Sequence, residues 1–268
     1  MNPLLDPAAR LVIAHRGNAA HAPENTLEAF EEAVALGADA LELDVHVTSD
    51  AHVVAVHDPT LDRTTDGSGV VGRLALADVR RFDAGARFTR DGGRTHPWRG
   101  RGLRVPTLDE VLDAFPAVPL LVELKTPAAA AATKRTVERH GASARCLMGS
   151  FLHPALAPFR GSAIASGASQ GEVARLYARA VLPGSPRRLP YHALCIPPVY
   201  RNILPLPVLR FARMARAADA CTHVWTVDDP ARALRYWAGG VNGIITNDPA
   251  RMLAAAGRVI ERALRSAV

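Results

Sequence analysis

The feature that most limits the folds open to this chain is a rhythm. Short aliphatic runs recur at residues 11–14, 40–45, 119–124, 146–151, 162–166, 193–197, 222–227 and 243–246, rich in Val, Ile and Leu and bounded by Gly, Pro or Asp. Such runs read as strands. Helical patterns lie between most of them. Asn25 with Glu28 gives an N-cap signature, Leu27, Phe30, Val34 and Leu36 follow at helical spacing, and Gly37 marks the stop. Thr107 with Glu110 forms a capping box opening a helix from Leu108 to Phe115. Further helices are expected at about 128–140, 170–181, 206–218, 230–238 and 249–266, with room for only a short one between 151 and 162. A strand–helix alternation repeated eight times predicts an α/β fold of the TIM (β/α)8 barrel type, and 268 residues fit one such domain, residues 1–268. An open doubly wound sheet is the alternative.

One segment breaks the rhythm. Residues 53–57 read as a strand, yet only about five residues separate them from the second strand, and a parallel crossover needs a dozen or more. A hairpin turning near Ser49-Asp50 resolves this. It makes residues from about 46 to 104 an insertion after the second strand, and its Gly- and Arg-rich tail, Thr89 to Arg104, is expected to be a long loop.

Hydrophobic residues are 49% of the chain, enough for a buried core and too many for a disordered protein. No apolar run reaches 18 residues, so no membrane span is expected. Met1 to Arg10 carries Asp6, two prolines and no apolar core, so no signal peptide is expected and the cytoplasm is the expected location. Cys146, Cys195 and Cys221 are far apart and set among apolar residues, which reads as buried thiols. The net charge is +6, and all basic residues but Lys125 and Lys134 are arginine, which favours an anionic partner. Aromatics at 5% do not form a basic–aromatic stripe, which argues against nucleic acid.

In the second strand Glu42 and Asp44 alternate with Leu41, Leu43 and Val45. A period of two sets both carboxylates on one face. The third strand sets Glu123 and Lys125 opposite Leu120, Val122 and Leu124. In a barrel, Glu42, Asp44 and Glu123 would meet at the C-terminal rim, where active sites lie. Three carboxylates together need protons or a cation, and an all-oxygen set suits Mg²⁺ or Ca²⁺ better than Zn²⁺. Ion pairing to Arg16 and Lys125 with no metal would also neutralise them. His15 ends the first strand, and the hairpin brings His57 opposite Glu42 or Leu43. Two imidazoles flanking the acids can serve as base and acid.

These residues lie in a series of motifs: His15-Arg16-Gly17, Pro23-Glu24-Asn25-Thr26, Glu42-Leu43-Asp44-Val45, His57-Asp58 and Thr64-Thr65-Asp66-Gly67-Ser68-Gly69. Pro106-Thr107-Leu108, Glu123-Leu124-Lys125, Val224-Trp225-Thr226-Val227 and Gly243-Ile244-Ile245-Thr246-Asn247 follow. In this order, across nearly the whole chain, they resemble the glycerophosphodiester phosphodiesterase family. The resemblance implies a TIM barrel with an insertion after the second strand, and hydrolysis of glycerophosphodiesters or of lysophospholipids. It implies that His15 and His57 are the acid–base pair, that Glu42, Asp44 and Glu123 bind a divalent cation, that Arg16 and Lys125 hold phosphate oxygens, and that Trp225 lines the substrate pocket. Asn18, Ala20 and His21 depart from the family pattern, and residues 152–220 match none of its motifs.

Two other patterns compete. Gly67 to Gly72 fits a dinucleotide fingerprint, but the polar stretch before it is not a strand, so no nucleotide site is expected. Gly167-Ala168-Ser169-Gln170-Gly171 fits a nucleophile elbow, which leaves a serine esterase using Ser169 as an alternative, beside a catalytically silent anion-binding barrel. Residues 199–209 are more apolar than an ordinary rim loop and are accompanied by Arg201, Arg210 and Arg213. They either pack over the barrel or form a lipid-facing lip, with residues 199–213 touching the inner face of a membrane.

Overall fold

The computed structural model describes residues 2–180 and 188–258. In chain order its strands are β1 (Leu11–His15), β2 (Ala40–Val47), β3 (Val53–Ala55), β4 (Leu120–Leu124), β5 (Cys146–Gly149) and β6 (Ala165–Ser166). β7 (Ala193–Ile196), β8 (Val199–Tyr200), β9 (Leu204–Pro205), β10 (Cys221–Val224) and β11 (Gly243–Thr246) follow. The helices are α1 (Leu27–Ala35), α2 (Leu76–Val79), α3 (Leu108–Ala114), α4 (Ala129–Arg139), α5 (His153–Leu156), α6 (Gln170–Ala180), α7 (Val208–Arg216), α8 (Pro230–Ala238) and α9 (Pro249–Ala255).

Eight parallel strands run in the order β6-β5-β4-β2-β1-β11-β10-β7. A bridge between Gly167 and Ala193 joins the two ends, with His192 N donating to Ser166 O at 2.9 Å and Ala168 N to Ala193 O at 2.9 Å. The sheet is a (β/α)8 barrel, as the alternation requires, and the open-sheet alternative falls. β3 pairs antiparallel with β2 in the register Val45–Ala55 and Val47–Val53, so extending it by two residues sets His57 opposite Leu43.

Period two divides the strand side chains. Leu41, Leu43, Val45, Leu120, Val122 and Leu124 face outward and are buried beneath helices, with Phe30, Leu108 and Phe159 among their partners. Ile13, Leu121, Leu147, Ala193, Cys221 and Ile245 face inward. Leu4, fully buried on a 3₁₀ turn over Pro3–Leu5, joins that inner cluster. The turn is tied down by Asn2 Nδ2 donating to Cys146 O at 2.8 Å and by His223 Nε2 donating to Leu4 O at 2.9 Å. His223 is fully buried, and its Nδ1 has no partner among the described residues.

The insertion carries its own apolar cluster, Val54, Val56, Leu61, Val71, Val79, Ala84, Leu103 and Val105. Residues 89–104 hold no helix or strand, as expected for a loop. Several boundaries move. The helix expected to open at Asn25 is capped by Thr26, whose Oγ1 accepts from Ala29 N at 3.3 Å, because Asn25 is turned to another task described below. The strands expected at 146–151, 193–197 and 222–227 end sooner than the aliphatic runs do, and the one expected at 162–166 begins later, at Ala165. The apolar stretch around Val199 is a two-strand hairpin, β8–β9, and not a loop. Residue 181 of the expected 170–181 helix and residues 259–266 of the 249–266 helix lie outside the described residues.

Candidate active site

The strand ends build the site from the register upward. β1 and β2 pair so that His15 lies beside Glu42, and β2 and β4 pair so that Asp44 lies beside Glu123. Three carboxylate ligand atoms, one each from Glu42, Asp44 and Glu123, therefore lie within 4.8 Å of one another. Glu42 and Asp44 are buried, and Glu123 is half-buried. Burial, then the charges of Asp44 and Glu123, push the Glu42 carboxyl well above its ordinary range. Burial also pushes Asp44 up, but Lys125 and Arg16 outweigh it and hold Asp44 at about 2. Asp44 is thus the anionic hub, and Glu42 resists carrying charge without a cation beside it.

Arg16 and Lys125, expected to face phosphate, both line the cavity, yet both also bind this hub. Lys125 Nζ lies 2.9 Å from Asp44 Oδ1 and 2.7 Å from Glu123 Oε1. Arg16 Nε lies 2.9 Å from Asp44 Oδ2, Nη1 2.9 Å from Glu24 Oε1, and its backbone N donates to Glu42 Oε2 at 3.0 Å. That backbone contact needs a sharp turn: Arg16 and Gly17 both have positive φ, 53° and 86°. A Cβ on Gly17 would come within 2.6 Å of Ala29 C, so only glycine fits there.

Each histidine is held at Nδ1. His15 Nδ1 lies 2.7 Å from Asn247 Oδ1, and Asn247 Nδ2 donates to Asp228 Oδ2 at 2.8 Å. That second bond fixes the amide, so His15 donates from Nδ1 and leaves Nε2 unprotonated. Burial, then the Arg16 charge, lowers the His15 pKa. His57 Nδ1 lies 2.6 Å from Asp58 Oδ1. Asp58 is held at about 2, first by its hydrogen bond from Arg63. Arg63 also donates twice to Glu24, at 2.7 Å each. An ion-pair chain, Asp58–Arg63–Glu24–Arg16–Asp44, thereby joins the His57 side of the site to the carboxylates.

Asn25 completes Asp44 from both sides. Its Nδ2 donates to Asp44 Oδ2 at 3.0 Å, and its Oδ1 accepts from Asp44 N at 3.1 Å. The sequence motifs contained Glu24, Asn25, Asp58 and Asn247, while Arg63 and Asp228 lie one residue outside them, and nothing in strand periodicity assigned any of these a task.

A cavity of about 260 Å³ opens over these groups. One end is lined by His15, Arg16, Glu42, His57, Glu123 and Lys125. The other is apolar, with Trp225 in the wall and in edge-to-face contact with Phe151 at 5.7 Å. Ser169 belongs to a different arrangement. Its N and Oγ both donate to Glu172 Oε2 at 2.7 Å at the start of α6, and the residue is buried. No hydrogen bond joins Ser169 to a histidine among the described residues, so the elbow pattern is a helix start. The Gly67–Gly72 segment leads into a 3₁₀ turn at Val71–Arg73 and lacks the preceding strand. Among the described residues no helix is long and apolar enough to cross a membrane.

Residues 15–153 match the model of the glycerophosphoryl diester phosphodiesterase family. A glycerophosphodiester phosphodiesterase of Caldanaerobacter subterraneus is 32% identical over 250 residues, covering 91% of this chain and 96% of that one. A phosphodiesterase of Oleispira antarctica, solved with the product sn-glycerol-3-phosphate, superposes with a TM-score of 0.73 at 26% identity, over 92% of this chain and 96% of that one. A glycerophosphoryl diester phosphodiesterase domain from Mycobacterium tuberculosis shares the fold, with a TM-score of 0.79 at 21% identity over 94% of this chain and 100% of that one.

Proposed function

Because this chain belongs to the glycerophosphoryl diester phosphodiesterase family and hydrolyses glycerophosphodiesters, we propose that it does so with His15 and His57 as base and acid, at a divalent cation held by Glu42, Asp44 and Glu123. The observation that carries this reading is the convergence of three carboxylates within 4.8 Å, two of which, Glu42 and Glu123, line a cavity that both histidines also line.

The donor set fits a hard cation. All three donors are carboxylate oxygens, which suits Mg²⁺ or Ca²⁺, and the raised Glu42 carboxyl is stabilised as an anion by added positive charge. Such a cation withdraws charge from the phosphoryl oxygens. Arg16 and Lys125 present donors to the same oxygens while Asp44 balances them.

His15, neutral and open at Nε2, takes the proton from the nucleophile. The nucleophile is the substrate's own C2 hydroxyl. Its oxygen bonds to phosphorus, the bond from phosphorus to the leaving alcohol oxygen breaks, and His57 protonates that alkoxide. Water then opens the cyclic phosphate with the roles reversed, so both histidines return to their starting states. Asp58 keeps the His57 ring oriented by accepting from Nδ1.

The leaving alcohol and any acyl chain on the glycerol are the finer question. Apolar lining on one side of the cavity supports lysophospholipids beside the water-soluble diesters. The β8–β9 hairpin supports peripheral contact of residues 199–213 with the inner face of a membrane: Ile203 at its tip is 83% exposed beside Arg201. Exhaustive EDTA treatment tests the cation. Turnover of glycerophosphocholine should be lost and should return with Mg²⁺ or Ca²⁺; undiminished turnover would overturn the metal assignment.

A further inference from the structure

β2 sets three polar side chains along one face at two-residue spacing, Glu42, Asp44 and His46. Glu42 and Asp44 belong to the carboxylate cluster. His46 is buried as they are, yet it contributes no atom to that cluster. It stands one step above them. β4 pairs with β2 only as far as Val45, beside Leu124, and Lys125 N donates to Val45 O at 3.1 Å. Beyond that point the hairpin strand β3 is the one strand paired with β2 among the described residues.

The hairpin ladder also ends at this height. Val56 N donates to Asp44 O at 2.9 Å, but the return bond is not made, because Asp44 N donates to Asn25 Oδ1 at 3.1 Å. From His57 onward the chain therefore leaves the sheet. His46 holds it there, with Nε2 3.2 Å from His57 O. A carbonyl oxygen only accepts, so Nε2 carries the proton. This is the one hydrogen bond to the His57 backbone among the described residues. The other restraint on His57 is Asp58 at Nδ1, with Arg63 behind it. Both belong to the same insertion as His57 and reach the carboxylates only through Glu24 and Arg16. His46 lies on the barrel strand that carries Glu42 and Asp44.

We propose that His46 is a positioning residue for proton transfer to the leaving alcohol: by holding the His57 carbonyl it fixes the His57 ring relative to the carboxylates of β2. The carbonyl and the ring share one Cα, so a bond at the carbonyl sets the backbone torsion from which the ring projects. His46 itself meets neither substrate nor cation in this role. The inference rests on the phosphodiesterase reading above, with His57 as the acid, and adds no bond change to it. The bond from phosphorus to the leaving oxygen breaks, and His57 delivers its proton to that oxygen. A donor misplaced by about 1 Å can cost about 100-fold. The loss falls on alcohols that need the proton. Choline would depart as a strongly basic alkoxide, whereas p-nitrophenolate is stable in water without a proton.

The test compares glycerophosphocholine with the p-nitrophenyl phosphodiester of glycerol on the metal-loaded full chain. Release of the leaving alcohol is followed in a single turnover with enzyme in excess, so that opening of the cyclic phosphate does not enter. His46→Leu should slow choline release by about tenfold and p-nitrophenol release by less than about threefold. His46→Gln, whose side-chain N–H can reach the same carbonyl, should bring choline release back to within about threefold of wild type. The cation concentration for half-maximal rate should be the same in both variants as in wild type, since a disturbed Asp44 would shift it. Equal slowing of the two substrates by His46→Leu, no slowing, a shifted cation requirement, or a Gln variant no faster than the Leu variant would overturn the positioning role. His57→Ala sets the reference and should slow choline release by about 100-fold or more and p-nitrophenol release far less. A split in His57→Ala without one in His46→Leu overturns the positioning role alone. No split in His57→Ala overturns the acid assignment itself, and the positioning role with it. Should His46→Leu not fold, as judged by circular dichroism, His46→Asn, too short to reach the carbonyl, takes its place beside His46→Gln in the same comparison.

Discussion

Glu42 and Asp44 are two residues apart on one strand, yet substitution should affect them oppositely. Asp44 is the counterion of Arg16 and Lys125 and accepts from Asn25, so Asp44→Asn strands two half-buried cations. In EDTA it should lower stability by about 2 kcal/mol or more, read by urea unfolding. Glu42 is held against its neighbours' charge, with the Arg16 backbone N as its hydrogen-bond donor, which Gln can also satisfy. Glu42→Gln should therefore unfold at the same or higher urea concentration than wild type in EDTA, while both variants lose cation affinity and turnover. Equal destabilisation by the two would contradict the charge assignment. His15→Ala and His57→Ala should each lower kcat by about 100-fold or more, and the double variant should be little worse than either. Wild-type kcat in either single variant would remove that ring from the mechanism. The carboxylates and histidines were legible because strand period two fixes which side chains share a face. Glu24, Asn25 and Arg63 were not. They sit on turns, where no period sets side-chain direction, and Asn25 meets Asp44 only through tertiary folding.

Elements carry a second set of consequences. The Ser169 hydroxyl donates to the buried Glu172 carboxylate at the start of α6, so Ser169→Ala should cost about 1 kcal/mol of stability and leave turnover of glycerophosphocholine within a few-fold of wild type. A loss of two orders of magnitude in kcat would bring back the esterase alternative. The capping box at Thr107 and Glu110 was visible from spacing alone, because both partners lie within one helical turn. The N-cap at Thr26 was displaced by one residue, because Asn25 is a good cap by type but is drawn to the Asp44 carboxylate at φ 57°. β6 shrinks to two residues because Ser162 and Ala163 belong to a turn, in which Ser162 Oγ donates to Phe159 O and accepts from Ile164 N and Ala163 is exposed. The stretch at 199–209 divides in a way composition could not show: Val208 is buried with α7, whereas Val199, Ile203 and Leu204 on the hairpin are exposed.

At the scale of the whole molecule, the barrel is braced from within by Leu4 and His223, far from the carboxylates in sequence. Burial holds the folded His223 ring at about 4, against about 6.5 in an unfolded chain. The unfolded state therefore takes up the proton first as pH falls, and stability that is complete above about 6.5 drains away down to about 4. From this ring alone the loss between pH 7 and pH 5 is about 2 kcal/mol. Urea unfolding at the two pH values should show it, and His223→Asn should flatten the dependence; an unchanged slope in that variant would assign the acid sensitivity elsewhere. The insertion has a further consequence. Its apolar cluster, from Val54 to Val105, is separate from those of the barrel, yet His57, Asp58 and Arg63 ride on it. If His57 has the role proposed for it, half of the proton-transfer machinery would belong to a unit whose separate packing should let it open while the eight-stranded frame stays closed. Native-state hydrogen exchange would then show two tiers of protection, the amides of residues 58–71 exchanging at lower denaturant than those of β1 and β11. The temperature at which the molecule stops working would lie below the temperature at which it loses its shape.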